Sequence, residues 1–164
     1  MKLVLIRHAH AEDRALLQRD RARVLSPKGR RRMRSAAKGL HTLLPSLDVV
    51  ACSPLVRARQ TAQILADVYG KGLAITPLPA LSPGKQPRCV VDWLREQPLD
   101  ATVALIGHEP DLGRLMGWLL NGRKMSFTHF KKGAATLIEF TQTPRASDGM
   151  LVWLLTATHL AKFG

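Results

Sequence analysis

Six short apolar runs occur along this chain of 164 residues, and segments with helical periodicity separate most of them. Several of the runs are continuously apolar, as in strands that are buried on both faces. The alternation of strands and helices predicts an α/β fold with a mostly parallel central sheet flanked by helices. The predicted strands are Lys2–Ile6, Val49–Cys52, Leu73–Thr76, Thr102–Ile106, Ala135–Phe140 and Leu151–Leu155.

Four helices are predicted between these strands. The first begins after Ser26, a favourable N-cap residue, and Pro27 occupies its first helical position. Its apolar stripe includes Met33, Ala37 and Leu40, which are spaced as on one helix face. The other helices are predicted to open at Ser53-Pro54, to run over Pro87–Glu96, and to follow Pro110 and end at Asn121-Gly122.

The length and composition suit one domain over residues 1–164. Hydrophobic residues make up 46% of the chain, enough for a core, and there is no internal repeat or linker-like stretch. Only "TQTPRASDGM" separates the last two strands, which predicts an antiparallel hairpin. The opening "MKLVLI" has no small-residue cleavage site, and no apolar stretch approaches the roughly 20 residues that span a bilayer. We therefore expect a cytoplasmic protein with no membrane partner.

The chain is strongly basic, with 25 Lys and Arg residues against 12 Asp and Glu residues and a formal net charge of +13. Such an excess raises the local concentration of anions, whether nucleic acid, acidic protein surface or phosphorylated metabolite. Eight of the basic residues lie in Arg19–Arg34. A solvated helix face is the simplest interpretation of this stretch. No aromatic residue interleaves it to stack bases, which argues against nucleic acid as the partner.

Basic side chains follow three of the predicted strands. Arg7-His8 ends the first strand, "VVACS" leads into a helix that carries Arg57 in its first turn, and "TVALIGH" ends in His108. The carboxyl ends of strands form the ligand crevice of open α/β sheets, so these side chains are expected to converge. Arginine forks and helix N-termini both suit a phosphoryl group.

The histidines leave three interpretations open: a structural role, a metal site or a phosphate-handling nucleophile. A neutral imidazole can attack phosphorus in line, while the second histidine and the arginines stabilise charge on the equatorial oxygens. The pair His8 and His10 could suggest a metal, but no Asp, Cys or His cluster has metal-ligand spacing. The sequence favours phosphate binding and predicts no metal and no cofactor.

Four motifs carry a resemblance to a known family: "LIRHAHAE", "LSPKG", "SPLVRARQTA" and "IGHEPDL", in this order. Together they resemble the histidine phosphatase superfamily, and the short length is similar to that of the SixA-type phosphohistidine phosphatases. The resemblance spans roughly the whole chain and implies a phosphoglycerate mutase-like three-layer sandwich. It also implies that His8 is the phosphorylated nucleophile and that Arg7, Arg57 and His108 are catalytic residues that bind the phosphate.

Three further points bear on the site. Ala9 stands where the family usually has glycine, so the turn after His8 must tolerate a β-carbon. Arg23 precedes "LSPKG" and could bind the phosphate, although a surface role is equally open. Larger family members use a carboxylate to protonate a poor leaving group, and the matching stretch "LPALSPGKQP" has none. Glu109 and Glu12 are the nearest candidates by sequence, but neither matches that position.

The missing acid favours a substrate whose leaving group departs readily. The leading hypothesis is a metal-independent phosphatase that forms a phospho-His8 intermediate and acts on a histidine-phosphorylated protein domain, in signal transduction. One alternative is a phosphatase of small phosphoanhydrides or polyphosphate. The alternative from another class is a non-catalytic module on the same fold that binds polyanions.

Overall fold

The structure, a computed structural model that describes residues 1–13, 20–70 and 72–164, contains a six-stranded sheet. The pairings among the first four strands are parallel, and the fifth is antiparallel to the first and the sixth. The predicted mostly parallel sheet and the final hairpin are thereby confirmed. The strands are β1 (Lys2–Arg7), β2 (Val49–Cys52), β3 (Ile75–Pro77), β4 (Thr102–Gly107), β5 (Ala135–Glu139) and β6 (Met150–Leu155), in the order β3-β2-β4-β1-β5-β6.

The α-helices in the described residues include all four that the sequence predicts. Ser26 caps the first as expected, because its Oγ accepts a hydrogen bond from the backbone N–H of Gly29 at 3.0 Å. Gly122, with a left-handed φ of 73°, ends the fourth. The helices are α1 (Pro27–Leu43), α2 (Val56–Tyr69), α3 (Pro87–Leu94), α4 (Asp111–Asn121) and the short α5 (Ala157–Leu160).

The apolar core lies in two parts, one on each face of the sheet. Val4 and Ile6 of β1 are buried in the part that contains the apolar faces of α1, α2 and α5. Leu3 and Leu5 are buried in the other part, with α3 and α4. This division follows from the alternation of side chains along a strand. It confirms the three-layer sandwich.

Apart from strand ends that differ by one residue, four local features differ from the predictions, and the first is that α3 ends at Leu94 rather than at Glu96. β3 begins at Ile75, two residues later than expected, and ends at Pro77, which an edge strand tolerates. α2 begins at Val56 rather than at Ser53-Pro54. The short α5 has too few residues to show periodicity in the sequence, and Thr156 caps it.

The basic stretch Arg19–Arg34 is described from Asp20 onward, and Arg19 lies outside the described residues. Its later arginines, Arg30, Arg31, Arg32 and Arg34, are all exposed on α1, as the helix-face interpretation predicts. No helix in the described ranges is long and apolar enough to cross a membrane.

Candidate active site

The carboxyl ends of β1, β2 and β4 meet at one edge of the sheet. Arg7 pairs with Gly107, and Cys52 pairs with Ile106, so the three strands end at nearly the same level. The backbone N–H of His8 then donates to the carbonyl oxygen of Gly107 at 3.0 Å. Because β4 lies between β1 and β2, the residues after these strands converge as predicted.

His8 is buried, with 5% of its surface exposed. Its Nδ1 lies 2.7 Å from the carbonyl oxygen of Ala9, and a carbonyl can only accept, so Nδ1 carries the proton. The lone pair of the ring is therefore on Nε2, which accepts a hydrogen bond from Nε of Arg57 at 3.3 Å. The ring of His108 lies beside it, with 5.0 Å between the ring centroids. The unprotonated nitrogen of His8 is thus Nε2, and it faces the arginine.

Arg57 is held in place by Asp20, a residue that sequence analysis missed. Nη1 of Arg57 donates to the backbone oxygen of Asp20 at 2.8 Å, and Nη2 donates to Oδ2 at 3.0 Å. The other carboxylate oxygen, Oδ1, lies 3.6 Å from Nη1 of Arg23. Asp20 therefore joins Arg57 and Arg23 into one network. The only sequence signal for it was an acidic residue in an otherwise basic run.

Three buried side-chain nitrogen atoms have no hydrogen-bond partner among the described residues. They are Nε of Arg7, Nε of Arg23 and Nδ1 of His108, and no other buried side-chain nitrogen or oxygen in the described ranges is left unpaired. An unsatisfied buried polar group costs about 1–3 kcal/mol. An arginine N–H can only donate, so the partner that fits must be an acceptor such as a phosphoryl oxygen.

The protein already engages another nitrogen atom of Arg7 and the other ring nitrogen of His108. Nη1 of Arg7 donates to the backbone oxygen of Phe130. Nε2 of His108 lies 2.8 Å from Oγ of Ser53. This contact explains the late start of α2, because the Ser53 side chain contacts the histidine and does not cap the helix. Arg57 and His108 thus lie against His8, and Arg7 lies within electrostatic range of it. Arg23 joins this group through Asp20.

Burial keeps both histidines neutral. It is the main cause that lowers the pKa of His8 to about 3; the neighbouring His108, Arg57 and Arg7 act in the same direction, and the hydrogen bond to the backbone of Ala9 opposes them. It is also the main cause that lowers the pKa of His108 to about 4, with Arg57 and Arg7 acting in the same direction and Asp20 opposing them. Burial lowers the pKa of Arg7 as well, an effect that the charge of Glu109 partly offsets. At neutral pH the Nε2 lone pair of His8 is therefore available for attack.

These shifts predict that the free energy of unfolding falls as the pH drops from about 6.5 towards 4. Below about pH 6.5 the unfolded chain binds protons on both histidines, whereas the folded chain does not. The stabilisation is fully present above that pH and is lost towards the folded pKa values of about 4 and about 3. Each histidine contributes a slope of about 1.4 kcal/mol per pH unit within the window.

Urea unfolding across this pH range would measure the slope. The His8→Ala and His108→Ala variants should each lose their own share of it, even where their absolute stability also changes. His129→Gln, which removes an exposed imidazole, is the matched control. Equal slopes in the wild type and both alanine variants would contradict the assignment of neutral buried histidines.

Glu109 and Glu12, the two candidate acids, have different surroundings. Oε2 of Glu109 accepts a hydrogen bond from the backbone N–H of Gly113 at 3.3 Å, in the first turn of α4, and Glu12 is exposed.

Ala9 does not need the left-handed conformation, because Ser147 is the only non-glycine residue with positive φ in the described ranges. The β-carbon at Ala9 is therefore tolerated.

No group of three or more His, Cys, Asp or Glu residues in the described part of the chain could hold a metal ion.

Comparison with known proteins identifies the family. The family model described as histidine phosphatase superfamily (branch 1) matches residues 3–82. An uncharacterised protein of Picosynechococcus sp. is 35% identical over 169 residues, which cover 94% of this chain and 99% of that protein.

Two solved structures are also similar. The structure of the protein histidine phosphatase SixA complexed with tungstate matches with a TM-score of 0.86 at 25% identity, over 98% of this chain and 99% of that chain. A Nakamurella multipartitia protein provisionally assigned as phosphohistidine phosphatase SixA matches with a TM-score of 0.73 at 28% identity, over 94% of each chain. The chain therefore belongs to the histidine phosphatase superfamily and is a phosphatase of the SixA structural type.

Proposed function

We propose that this phosphatase works without a metal, through a phosphoryl group held covalently on Nε2 of His8, and that its preferred substrate is phosphohistidine on a protein. The observation that carries the proposal is the set of unpaired buried nitrogens on Arg7, Arg23 and His108 around a neutral His8. The Nε–H groups of Arg7 and Arg23 are donors, and Nδ1 of His108 also donates in the tautomer whose Nε2 accepts from the hydroxyl of Ser53. A cytoplasmic location, a role in signal transduction and a histidine-phosphorylated protein partner are parts of the same proposal.

The reaction takes two steps at one nitrogen atom. In the first, Nε2 attacks phosphorus, the Nε2–P bond forms, and the leaving group departs with the electrons of its bond to phosphorus. In the second, water attacks phosphorus, the Nε2–P bond breaks, orthophosphate leaves and the water proton passes to solvent. Arg7, Arg57 and His108 stabilise the charge on the equatorial oxygens in both steps. The guanidinium groups supply positive charge that other phosphatases draw from a metal ion.

The surroundings of the site favour a leaving group that needs little acid assistance. The carboxylate of Asp20 is engaged by Arg57 and Arg23, and that of Glu109 by the backbone N–H of Gly113. A protonated imidazole departs readily from phosphorus, whereas an alkoxide does not. Phosphohistidine therefore fits this site better than a sugar phosphate does. A small phosphoanhydride also has a leaving group that needs little acid assistance, so it is the alternative substrate class.

The test is a series of aryl phosphates with graded leaving-group pKa, together with phosphoimidazole and glycerol phosphate, assayed in EDTA. Without an acid, kcat/KM should fall steeply as the leaving-group pKa rises, and glycerol phosphate should be the slowest substrate. Glu109→Gln should leave the slope unchanged. A flat series that becomes steep in Glu109→Gln would show that Glu109 is the acid. Activity that disappears in EDTA and returns only with a divalent metal would refute the metal-free mechanism.

A non-catalytic polyanion-binding module would give a different result. Such a module would bind tungstate or phosphate in the same pocket but would form no phosphoenzyme. The neutral His8, with its lone pair on Nε2, favours the enzyme.

A further inference from the structure

A groove of about 620 Å³ is lined by Arg7 but not by His8, Arg57 or His108, and we refer to it as the basic groove. It lies between the end of β1, the first turns of α1, the segment 129–133 and the start of α5. Arg7 lines it and also belongs to the catalytic centre. None of its lining residues in the described ranges is acidic. The basic side chains that line it are Arg7, Arg32, Lys131, Lys132, His10, His129 and His159.

The shape of the basic groove follows from the start of α1. A Cβ on Gly29 would lie 2.0 Å from the carbonyl oxygen of His10, so only glycine allows the helix to approach the segment after β1 this closely. Arg32 and Met33 follow three and four residues later, and they line the groove from the same helix face. One face of α1 thus brings an arginine to the rim of the active site.

The positive charge in the basic groove is largely uncompensated. Within the described ranges, the ion pairs all involve other basic residues, and none includes Arg32, Lys131 or Lys132. Burial and the charges of Arg7, Arg23 and Arg57 lower the pKa of Lys132, and only Asp13 acts in the opposite direction. Lys132 therefore lies in the field of the catalytic arginines. Clustered like charges repel one another, and a bound anion removes this repulsion.

We propose that the basic groove is a second anion-binding subsite, which takes a phosphate or carboxylate group carried by the same substrate whose phosphoryl group reacts at His8. The proposal rests on the proposed function, because it assumes that a phosphoryl group occupies the pocket of Arg7, Arg57 and His108. The second anion has two sources: an acidic side chain beside a phosphohistidine, or a further phosphate of a polyphosphate. In either case Arg32 and Lys132 select substrates that carry two anionic groups.

The test compares a groove variant, Arg32→Gln/Lys132→Gln, with the matched control Arg30→Gln/Arg31→Gln, which removes the same charge from exposed positions of α1 outside the groove. The substrates are phosphoimidazole, a histidine-phosphorylated peptide with acidic neighbours, the same peptide with neutral neighbours, and tripolyphosphate. In the groove variant, kcat/KM for an anion-bearing substrate should fall about tenfold relative to that for phosphoimidazole. The control should keep the wild-type ratio.

The pattern of losses identifies the source of the second anion. A selective loss for the acidic peptide supports a carboxylate, and a selective loss for tripolyphosphate supports a phosphate. A loss that is equal for all substrates, phosphoimidazole included, overturns the proposal, as does no loss for either anion-bearing substrate.

Binding measurements on an inactive variant test the second subsite independently of the proposed function. Calorimetric titration of His8→Ala with tripolyphosphate, with the acidic peptide in unphosphorylated form and with orthophosphate needs no turnover. Adding the two groove substitutions should weaken binding of tripolyphosphate or of the peptide about tenfold relative to that of orthophosphate. Unchanged affinities for both would overturn the second subsite, even if the enzyme is a phosphohistidine phosphatase. Selective weakening would support it, even if no substrate is turned over.

Discussion

Replacing His8 with alanine should lower kcat/KM by more than about 10³, beyond the effect of removing a single transition-state donor. In the proposed mechanism, Nε2 of His8 is the atom to which the phosphoryl group is transferred, and the alanine variant lacks it. The variant should fold, because His8 follows β1 and its side chain lies outside the sheet's apolar core. Steady-state assays with phosphoimidazole, together with circular dichroism, would measure both effects.

A second readout makes this prediction specific to covalent catalysis. Wild-type protein mixed briefly with labelled substrate and quenched in alkali should retain label in an acid-labile phosphoramidate bond, and His8→Ala should retain none. His41→Ala, which removes a histidine of α1 that lies outside both the active site and the basic groove, should label as the wild type does. Label in the His8→Ala variant at the wild-type level would show that another residue is the nucleophile.

Replacing Arg57 with lysine should lower kcat/KM by about 10²–10³, although the positive charge is kept. The guanidinium makes three hydrogen bonds at once: to Nε2 of His8, to the backbone oxygen of Asp20 and to the carboxylate of Asp20. An ammonium group is a point charge and cannot reproduce this planar fork. The loss should appear mainly in kcat, because the fork orients the nucleophile as well as binding the phosphate.

Arg59→Lys is the matched control for this variant. Arg59 lies two residues further along α2 and is exposed, so the same substitution there should change kcat/KM by less than about twofold. Wild-type kinetics in Arg57→Lys would mean that this side chain does not clamp the phosphoryl group. Stability should be measured in parallel by urea unfolding, because the pair with Asp20 is broken in the variant.

The convergence of the site residues could be predicted because it depends only on local patterns and one topological rule. Three apolar runs are each followed by an arginine or histidine side chain, and the carboxyl ends of parallel strands lie at the same edge of the sheet. The position of Arg23 could not be predicted in this way. It depends on Asp20, which begins a 3₁₀ helix of three residues (Asp20–Ala22), too short to show periodicity, and which contacts Arg57 at a distance in sequence.

The order of the strands also could not be deduced from local patterns. The sequence shows where β1, β2 and β4 lie, but the insertion of β4 between the other two is a tertiary pairing. Ser53 is a similar case. A serine before a proline and an apolar stripe is typical of a helix start, and its contact with Nε2 of His108 outweighs that local preference.

The central position of β4 has a consequence for biosynthesis. β1 and β2 leave the ribosome first, yet they do not pair with each other, because the space between them is filled by residues 102–107. A nascent chain that extends only to residue 82, the end of the region matched by the family model, carries His8 and Arg57 but lacks β4, the strand that pairs with both β1 and β2. Parallel pairing between distant segments is slow to form. Phosphate binding should therefore begin only after β4 and His108 have left the ribosome and β4 has paired with both β1 and β2.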